Sequence, residues 1–443
     1  MQHDFTQGNI TKQLVVFSVP IMLTNLLQVS YQFIDSLWIG NLLGADALGA
    51  VTVASTVVVT VLAFIIGINH ATLTILSQQK GKKDKQGLKN YLNAFVVLLS
   101  TMSIAAGVAG YFVAEKILLF MNTPQDLLQD ATAYLQINFF GILFIMGYNF
   151  ISTVLRSLGD SKTPLKFVFI AVILNAVLDP LFIAGFQWGI HGAAYATIIA
   201  QGAAFLLALI YTLYHKLAPF TLPKIPKKEE IWLILKLGIP AGLQMLVIHA
   251  GIAAVLSVVN SFDAAVVAGF GASQRIDSLI TIPAMALGTA VNSMAGQNIG
   301  ANKWDRVRDI AKYGLMFNLT IMFVIASIVF LLAEFLTMLF IQEKDALLFG
   351  TSFLKITAFF YPFLGINFIL NGIVRASGAM YQVLVLNTLS FWLLRYPLTN
   401  ICSGMIGENG IAVGIGISFV ISSFFAFAYF KWGGWKKKRL FSD

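Results

Sequence analysis

The sequence predicts an all-α polytopic membrane protein, twelve transmembrane helices in two six-helix lobes. Three observations lead there: a shortage of charge, an alternation of basic and acidic loops, and an internal repeat. Across 443 residues the apolar set amounts to 58%, and Asp, Glu, Lys and Arg together to 11%. Soluble domains carry roughly 25% charge, so this chain could not cover its own surface in water. A soluble helical core would also show polar faces every three or four residues, yet 51–68, 317–333 and 411–430 hold no charged residue.

Apolar runs long enough to cross a bilayer fall near 14–39, 47–76, 90–113, 131–155, 164–184, 190–214, 232–260, 265–295, 312–335, 350–373, 380–403 and 410–430. Several breaks between them carry turn chemistry, among them Gly40 to Gly44, Gly185 to Gly189, and Pro219, Pro223 and Pro226. This divides the chain into an N-terminal lobe at 1–218 with helices 1–6, a cytoplasmic linker at 219–231, and a C-terminal lobe at 232–443 with helices 7–12 and a basic tail.

Charge fixes the orientation. Lys80, Lys82, Lys83, Lys85 and Lys89 follow span two, Arg156 and Lys162 span four, Lys216, Lys224 and Lys227 span six, and Lys303, Arg306 and Arg308 span eight. The alternate loops are mostly acidic, with Asp46, Asp126, Asp263, Asp345 and Glu408. By the positive-inside rule the even-numbered loops and both termini are cytoplasmic, which requires an even number of spans. Topology therefore accounts for the net charge of +9, and no aromatic-interleaved basic surface points to nucleic acid. The N-terminal run continues into further spans without a small-residue cleavage site, so it is expected to stay. A lone cysteine, Cys402, leaves no intrachain disulfide framework and no cysteine-rich metal site.

At an offset near 220 the second half repeats the first. Pro20 in FSVPIMLTNLLQ matches Pro240 in KLGIPAGLQMLV, and Gln78 and Gly81 match Gln297 and Gly300. Arg156 and Gly159 match Arg375 and Gly378, and Gly192 matches Gly410. Repeats of six spans enter the membrane with the same orientation, which predicts a pseudo-two-fold axis along the membrane normal, a shared cavity, and gated access from either side.

Ionisable groups inside spans are costly and are functional candidates by default. Asp35 lies 21 residues after Leu14; it is either a cavity acid or an acid at the outer end of span one, since Gly40 and Gly44 follow. Asp179 lies 15 residues after Pro164, about 22 Å along a helix rising from the cytoplasmic side. Both fall in the outer part of the first lobe, where two acids facing one cavity can raise each other's proton affinity. Gln28 and Tyr31 share a face with Asp35, and Asn175 precedes Asp179 by four residues. Tyr148 and Asn149 add polar groups to span four, and Pro180 predicts a bend at the acid. Asn367 and Asn371, one turn apart, either line the cavity or join helices. In the second half Arg275 and Asp277 are too close in sequence to face each other on a helix, while Lys355 and Arg395 are expected to snorkel or pair near the outer ends. His70, His191 and His249 form no metal motif.

These residues resemble the multidrug and toxic compound extrusion (MATE) transporters over residues 10–430, most closely the DinF-like branch. The resemblance rests on Pro20 followed by FIDSLWIGNLLGADALGA, LRSLGDSKTP, NAVLDPLFI, GFGASQRI and AGQNIGA, in that order. It implies a V-shaped pair of six-helix lobes and no enzyme activity: a proton-coupled antiporter, with sodium as the alternative coupling ion and no other cofactor, exporting cationic or amphipathic organic compounds by alternating access. Asp35, Asp179 and Asn175 match the acidic cluster of that branch and would couple the ion, while the acids that the NorM-like branch uses in helices seven and ten are missing. Gln28, Tyr31, Tyr148, Asn149, Asn367 and Asn371 would line the solute cavity, and Pro20, Arg156, Pro180, Pro240 and Arg275 would shape or gate it. The expected partners are small organic cations or amphiphiles and membrane lipids. The chain is expected to be a monomer in the cell membrane of a prokaryote. The rival reading is a flippase for a lipid or lipid-linked oligosaccharide, which would need several basic cavity residues to hold a pyrophosphate. Asp35 and Asp179 have no acidic repeat counterparts, so ion chemistry is expected in the first lobe.

Overall fold

The computed structural model describes residues 2–441, and every regular element in it is helical. Fifteen α-helices follow one another: α1 Ile10–Leu43, α2 Ala45–Lys82, α3 Lys85–Phe120, α4 Gln125–Ser157, α5 Lys162–Pro180, α6 Gly189–Tyr214, α7 Lys228–Val259, α8 Ala264–Ile280, α9 Ile282–Gly300, α10 Trp304–Met338, α11 Lys344–Ala358, α12 Tyr361–Ala376, α13 Met380–Thr388, α14 Tyr396–Ile406 and α15 Asn409–Trp432. Among the described residues ten helical stretches are long and apolar enough to cross a membrane, and α11 with α12 forms one more, bent by 54°. Large apolar side chains such as Phe112, Phe120, Phe140, Phe323 and Leu331 stand exposed, as a chain solvated by lipid requires.

The expectation of twelve uninterrupted helices is corrected in the second half. Span eight is split into α8 and α9, span ten into α11 and α12, and span eleven into α13 and α14 with a π-helical segment, Leu389–Arg395, between them. One cause serves all three. Pro283, Pro362 and Pro397 each sit in the first turn of the later piece. A proline there lacks the amide that would have continued the preceding helix, so the chain restarts instead of propagating.

The chain forms two compact units, one of residues 1–3 with 23–238 and the other of 4–22 with 239–443. The borders inside α1 and α7 fall beside Pro20 and Pro240, the repeat's matched prolines, where a missing intrahelical hydrogen bond loosens the ladder.

In the first unit α4 is the hub, packed on α2, α3 and α6. Glycines let the helices approach: a Cβ on Gly107 of α3 would lie 2.8 Å from the Phe139 carbonyl oxygen of α4. Asp84 caps α3 by accepting from the Gly87 amide at 2.8 Å, and Asp160 accepts from the Thr163 amide at 3.0 Å where α5 begins. The repeated glycines have a backbone reason. Gly159 closes α4 at φ +90° and Gly378 closes α12 at φ +85°, each donating its amide to the matched arginine's carbonyl, Arg156 at 3.1 Å and Arg375 at 2.8 Å. Only glycine takes that left-handed turn without strain.

In the second unit α9 packs on α12, α8 on α11, and α15 on α12 and α14. One buried cluster joins Phe5, Leu14 and Phe17 of the N-terminal segment to α9, α10, α12 and Trp435; another joins α8, α10, α11, α12 and α15 around Phe270, Phe353 and Tyr361.

Candidate functional site

α5 reaches its one carboxylate in the last turn before Pro180. Since proline has no amide hydrogen, the α-helical ladder lapses there and Leu181–Gly185 continues as a π-helix, with the Phe186 amide donating to the Leu181 carbonyl at 2.8 Å. Such a wide turn is tolerated only where packing holds it. Gly192 of α6 supplies that: a Cβ there would lie 2.8 Å from the Phe182 carbonyl.

On this turn Asp179 and Asn175 are both fully buried, and Asn175 Nδ2 donates to Asp179 Oδ1 at 3.0 Å. Asp35 of α1 comes to the same place, with Asp179, Asn175 and Tyr134 of α4 as its polar neighbours. Tyr31, one turn before Asp35, is buried and donates its hydroxyl to the Thr197 carbonyl of α6 at 3.3 Å. Three buried oxygens stay without a hydrogen bond: Asp35 Oδ1, Asp179 Oδ2 and Asn175 Oδ1. No lysine or arginine stands among the electrostatic neighbours of either acid. Two neighbouring carboxyl groups, one fully buried and one half-buried, without a basic partner favour a proton or another cation between them, because bare anions repel and leave their lone pairs unpaired.

The other candidates from the sequence lie elsewhere. Gln28 is half-buried on α1. Tyr148 is buried in an apolar cluster and donates to the Pro164 carbonyl at 2.9 Å. Asn149 turns its amide to the Ile145 carbonyl of its own helix at 2.8 Å. Asn367 bonds to the Phe363 carbonyl at 3.2 Å and reaches Ser422 at 3.5 Å, and Asn371 is buried with Oδ1 unpartnered. Pro20 and Pro240 lie inside α1 and α7. Arg156 is in the last turn of α4, and Arg275 is exposed on α8, 6.0 Å from the centre of the Phe340 ring.

Sequence reasoning passed over Tyr134 and Asn138, although they stand one turn apart on α4. It named Asp277 and Arg395 but brought them together neither with each other nor with Tyr361. Tyr361 of α12 donates its hydroxyl to Asp277 Oδ1 of α8 and lies 3.2 Å from Thr357 Oγ1. Arg395 forms no ion pair among the described residues. Its guanidinium lies over the rings of Phe391 and Phe419, 3.8 and 4.7 Å from their centres, and Nε donates to Ser418 Oγ at 3.3 Å. Asp277 is its charged neighbour.

Helices of this length, exposing apolar side chains and bringing two carboxylates together, define a polytopic membrane protein. The MatE family model matches the chain twice, over 20–181 and 240–401, so the duplication is recognised in both halves and the chain belongs to that family. It is 61% identical over 441 residues to "Probable multidrug resistance protein YpnP" of Bacillus subtilis strain 168, covering 100% of this chain and 99% of that protein. It is 26% identical to the multidrug export protein MepA of Staphylococcus aureus, covering 92% and 90%. Among solved structures, an outward-facing multidrug resistance MATE family transporter of the MOP superfamily superposes with a TM-score of 0.91 at 22% identity, over 96% of each chain. The Vibrio cholerae MATE transporter VcmN superposes at 0.92 and 21%, over 97% and 98%. Those superpositions establish a shared fold. Membership in this family is consistent with transport and not with enzymatic catalysis.

Proposed function

We propose that the chain is a proton-coupled antiporter that exports cationic or amphipathic organic compounds by alternating access. The observation that carries this reading is the approach of Asp35 to Asp179 beside Asn175, with buried oxygens unsatisfied and no lysine or arginine among their electrostatic neighbours. One proton placed between the carboxyl groups turns a repulsive contact into a hydrogen bond and neutralises half the charge. A solute cation offers the same neutralisation by another route, so proton and solute compete. Competition of this kind exchanges one for the other, provided each binds the two conformations with different affinity. The π-turn after Pro180 supplies a backbone element beside the acid that can change its hydrogen-bonding register.

The names of the relatives, multidrug resistance and multidrug export proteins, support the solute class. In this reading the repeats at 1–218 and 232–443, joined by 219–231, are the two lobes of a monomer. The broken stretch 380–406 counts as span eleven and brings the total to twelve, and both termini face the cytoplasm of a prokaryotic cell. Sodium is the competing coupling ion, since a carboxylate pair with an amide oxygen can hold either.

The test is efflux of a fluorescent organic cation from proteoliposomes under imposed proton or sodium gradients, applied separately. Proton-driven efflux that is lost in Asp35→Asn and in Asp179→Asn is expected. Drive by sodium alone, or full proton-driven rates in both variants, would overturn the proposal.

A further inference from the structure

Arg395 of the second unit's charged cluster stands beside the repeat-related place of Asp179. Pro397 follows Pro180 by 217 positions, so Tyr396 stands where Asp179 does and Arg395 one residue before it. Thr357, which touches Tyr361, follows Asn138 by 219. A π-helical turn adjoins the site in both repeats, Leu181–Gly185 in one and Leu389–Arg395 in the other. Each repeat thus sets a polar cluster beside a proline and a π-turn, the turn following Pro180 in the first and preceding Pro397 in the second: two acids in the first, and one acid with one guanidinium in the second.

Arg395 is held in an unusual way. The rings of Phe391 and Phe419 lie against it, and Nε donates to Ser418. Its two terminal nitrogens make no hydrogen bond among the described residues, and the side chain is only half-buried. Asp277 is close enough to act on it electrostatically but makes no direct ion pair with it, and one of its oxygens is engaged by Tyr361. A guanidinium held against two aromatic rings, with its terminal nitrogens free of protein partners, has the chemistry for binding a carboxylate in two-pronged fashion. Across the gap, Asp277 presents the opposite charge.

We propose that Arg395 is the specificity residue with which the second unit reads a carboxylate on the transported amphiphile, Asp277 facing the same solute's cationic part. This rests on the transport reading and adds zwitterions to its solute class. Asp277 then also guards the site: a purely anionic solute meets its repulsion, whereas a zwitterion satisfies both charges at once.

Rhodamine 110 and its methyl ester rhodamine 123 share one cationic ring system and differ in whether the carboxyl is free or esterified. Their equilibrium binding to the purified full-length protein, followed by fluorescence anisotropy, isolates the carboxylate. In Arg395→Gln the ratio of the Kd for the acid to that for the ester is expected to rise about tenfold, the loss of a charge-assisted hydrogen bond. In Asp277→Asn it is expected to fall. Arg395→Lys, which keeps the charge but not the fork, is expected to raise the ratio about threefold, and serves if the glutamine variant does not survive purification. A purely packing role for Arg395 would shift both dyes together and leave the ratio unchanged, which would overturn the proposal. Wild-type binding of the ester without the acid overturns this inference alone; binding of neither overturns it together with the proposed solute class.

Discussion

Asn175 and Asp179 stand one turn apart on α5, and the amide of the first donates to Oδ1 of the second at 3.0 Å. That bond fixes which oxygen of Asp179 is occupied and which, Oδ2, is left without a partner in the contact region of Asp35. Asn175→Ala should therefore leave both acids in place but let the Asp179 carboxylate rotate. Proton-driven efflux in proteoliposomes is expected to fall roughly tenfold, the worth of one hydrogen bond to a charged group, and less than in Asp179→Asn. An Asn175→Ala variant as inactive as Asp179→Asn would mean that the amide itself holds the coupling ion.

Whether Asp35 and Asp179 act as one device can be read from a double-mutant cycle. If a single proton bridges Asp35 and Asp179, either Asp→Asn change removes the bridge, and the second change has little left to remove. Efflux by the double variant should match that of the slower single variant to within about twofold, in place of the product of the two losses. Multiplying losses in the same assay would assign the acids to independent steps.

How much of this was legible beforehand follows from what sequence encodes locally. Asp35, Asp179 and Asn175 were readable because a carboxylate in an apolar run is conspicuous by cost alone, and the α5 pair by its spacing of four. Tyr134 and Arg395 were not, because tyrosine is common in spans and an arginine near a helix end ordinarily reaches for the interface; only the packing of Phe391 and Phe419 on Arg395 says otherwise. The breaks at Pro283, Pro362 and Pro397 were encoded locally but masked by hydropathy, which averages over a window longer than the kink. The assignment of Asp4 to Met22 to the second unit is a long-range fact with no local signal.

Glycines in the second unit should split by what surrounds them. A Cβ on Gly288 of α9 would lie 2.9 Å from the Phe368 carbonyl oxygen of α12, whereas one on Gly271 of α8 meets nothing within 4 Å. Backbone cannot give way as a side-chain end can, so Gly288→Ala should destabilise by about 1–3 kcal/mol. Gly271→Ala should stabilise by about 0.5–1 kcal/mol, because alanine loses less freedom in a helix. Thermal unfolding in one detergent should move in opposite directions for the two; a shift of the same sign would show that the α9–α12 contact does not limit stability.

Phe5 is fully buried ahead of α1, its ring 4.8 Å from that of Phe17 and edge-on to it. Its backbone is held as well: the amide donates to Gln297 Oε1 at 3.1 Å, and Asn298 Nδ2 donates to its carbonyl at 2.9 Å. Phe5→Ala keeps both backbone bonds and empties the ring's site, which should cost about 3–5 kcal/mol. Gln297→Ala keeps the ring but strands a buried amide, for about 1–3 kcal/mol. Because ring and amide belong to one residue, losing either loosens the other, and the two changes together should cost less than their sum. Unfolding midpoints of the two single variants and the double variant, measured on the purified protein, decide it. Strict additivity would mean that the segment from Asp4 onward is held by independent contacts and not as one docked piece.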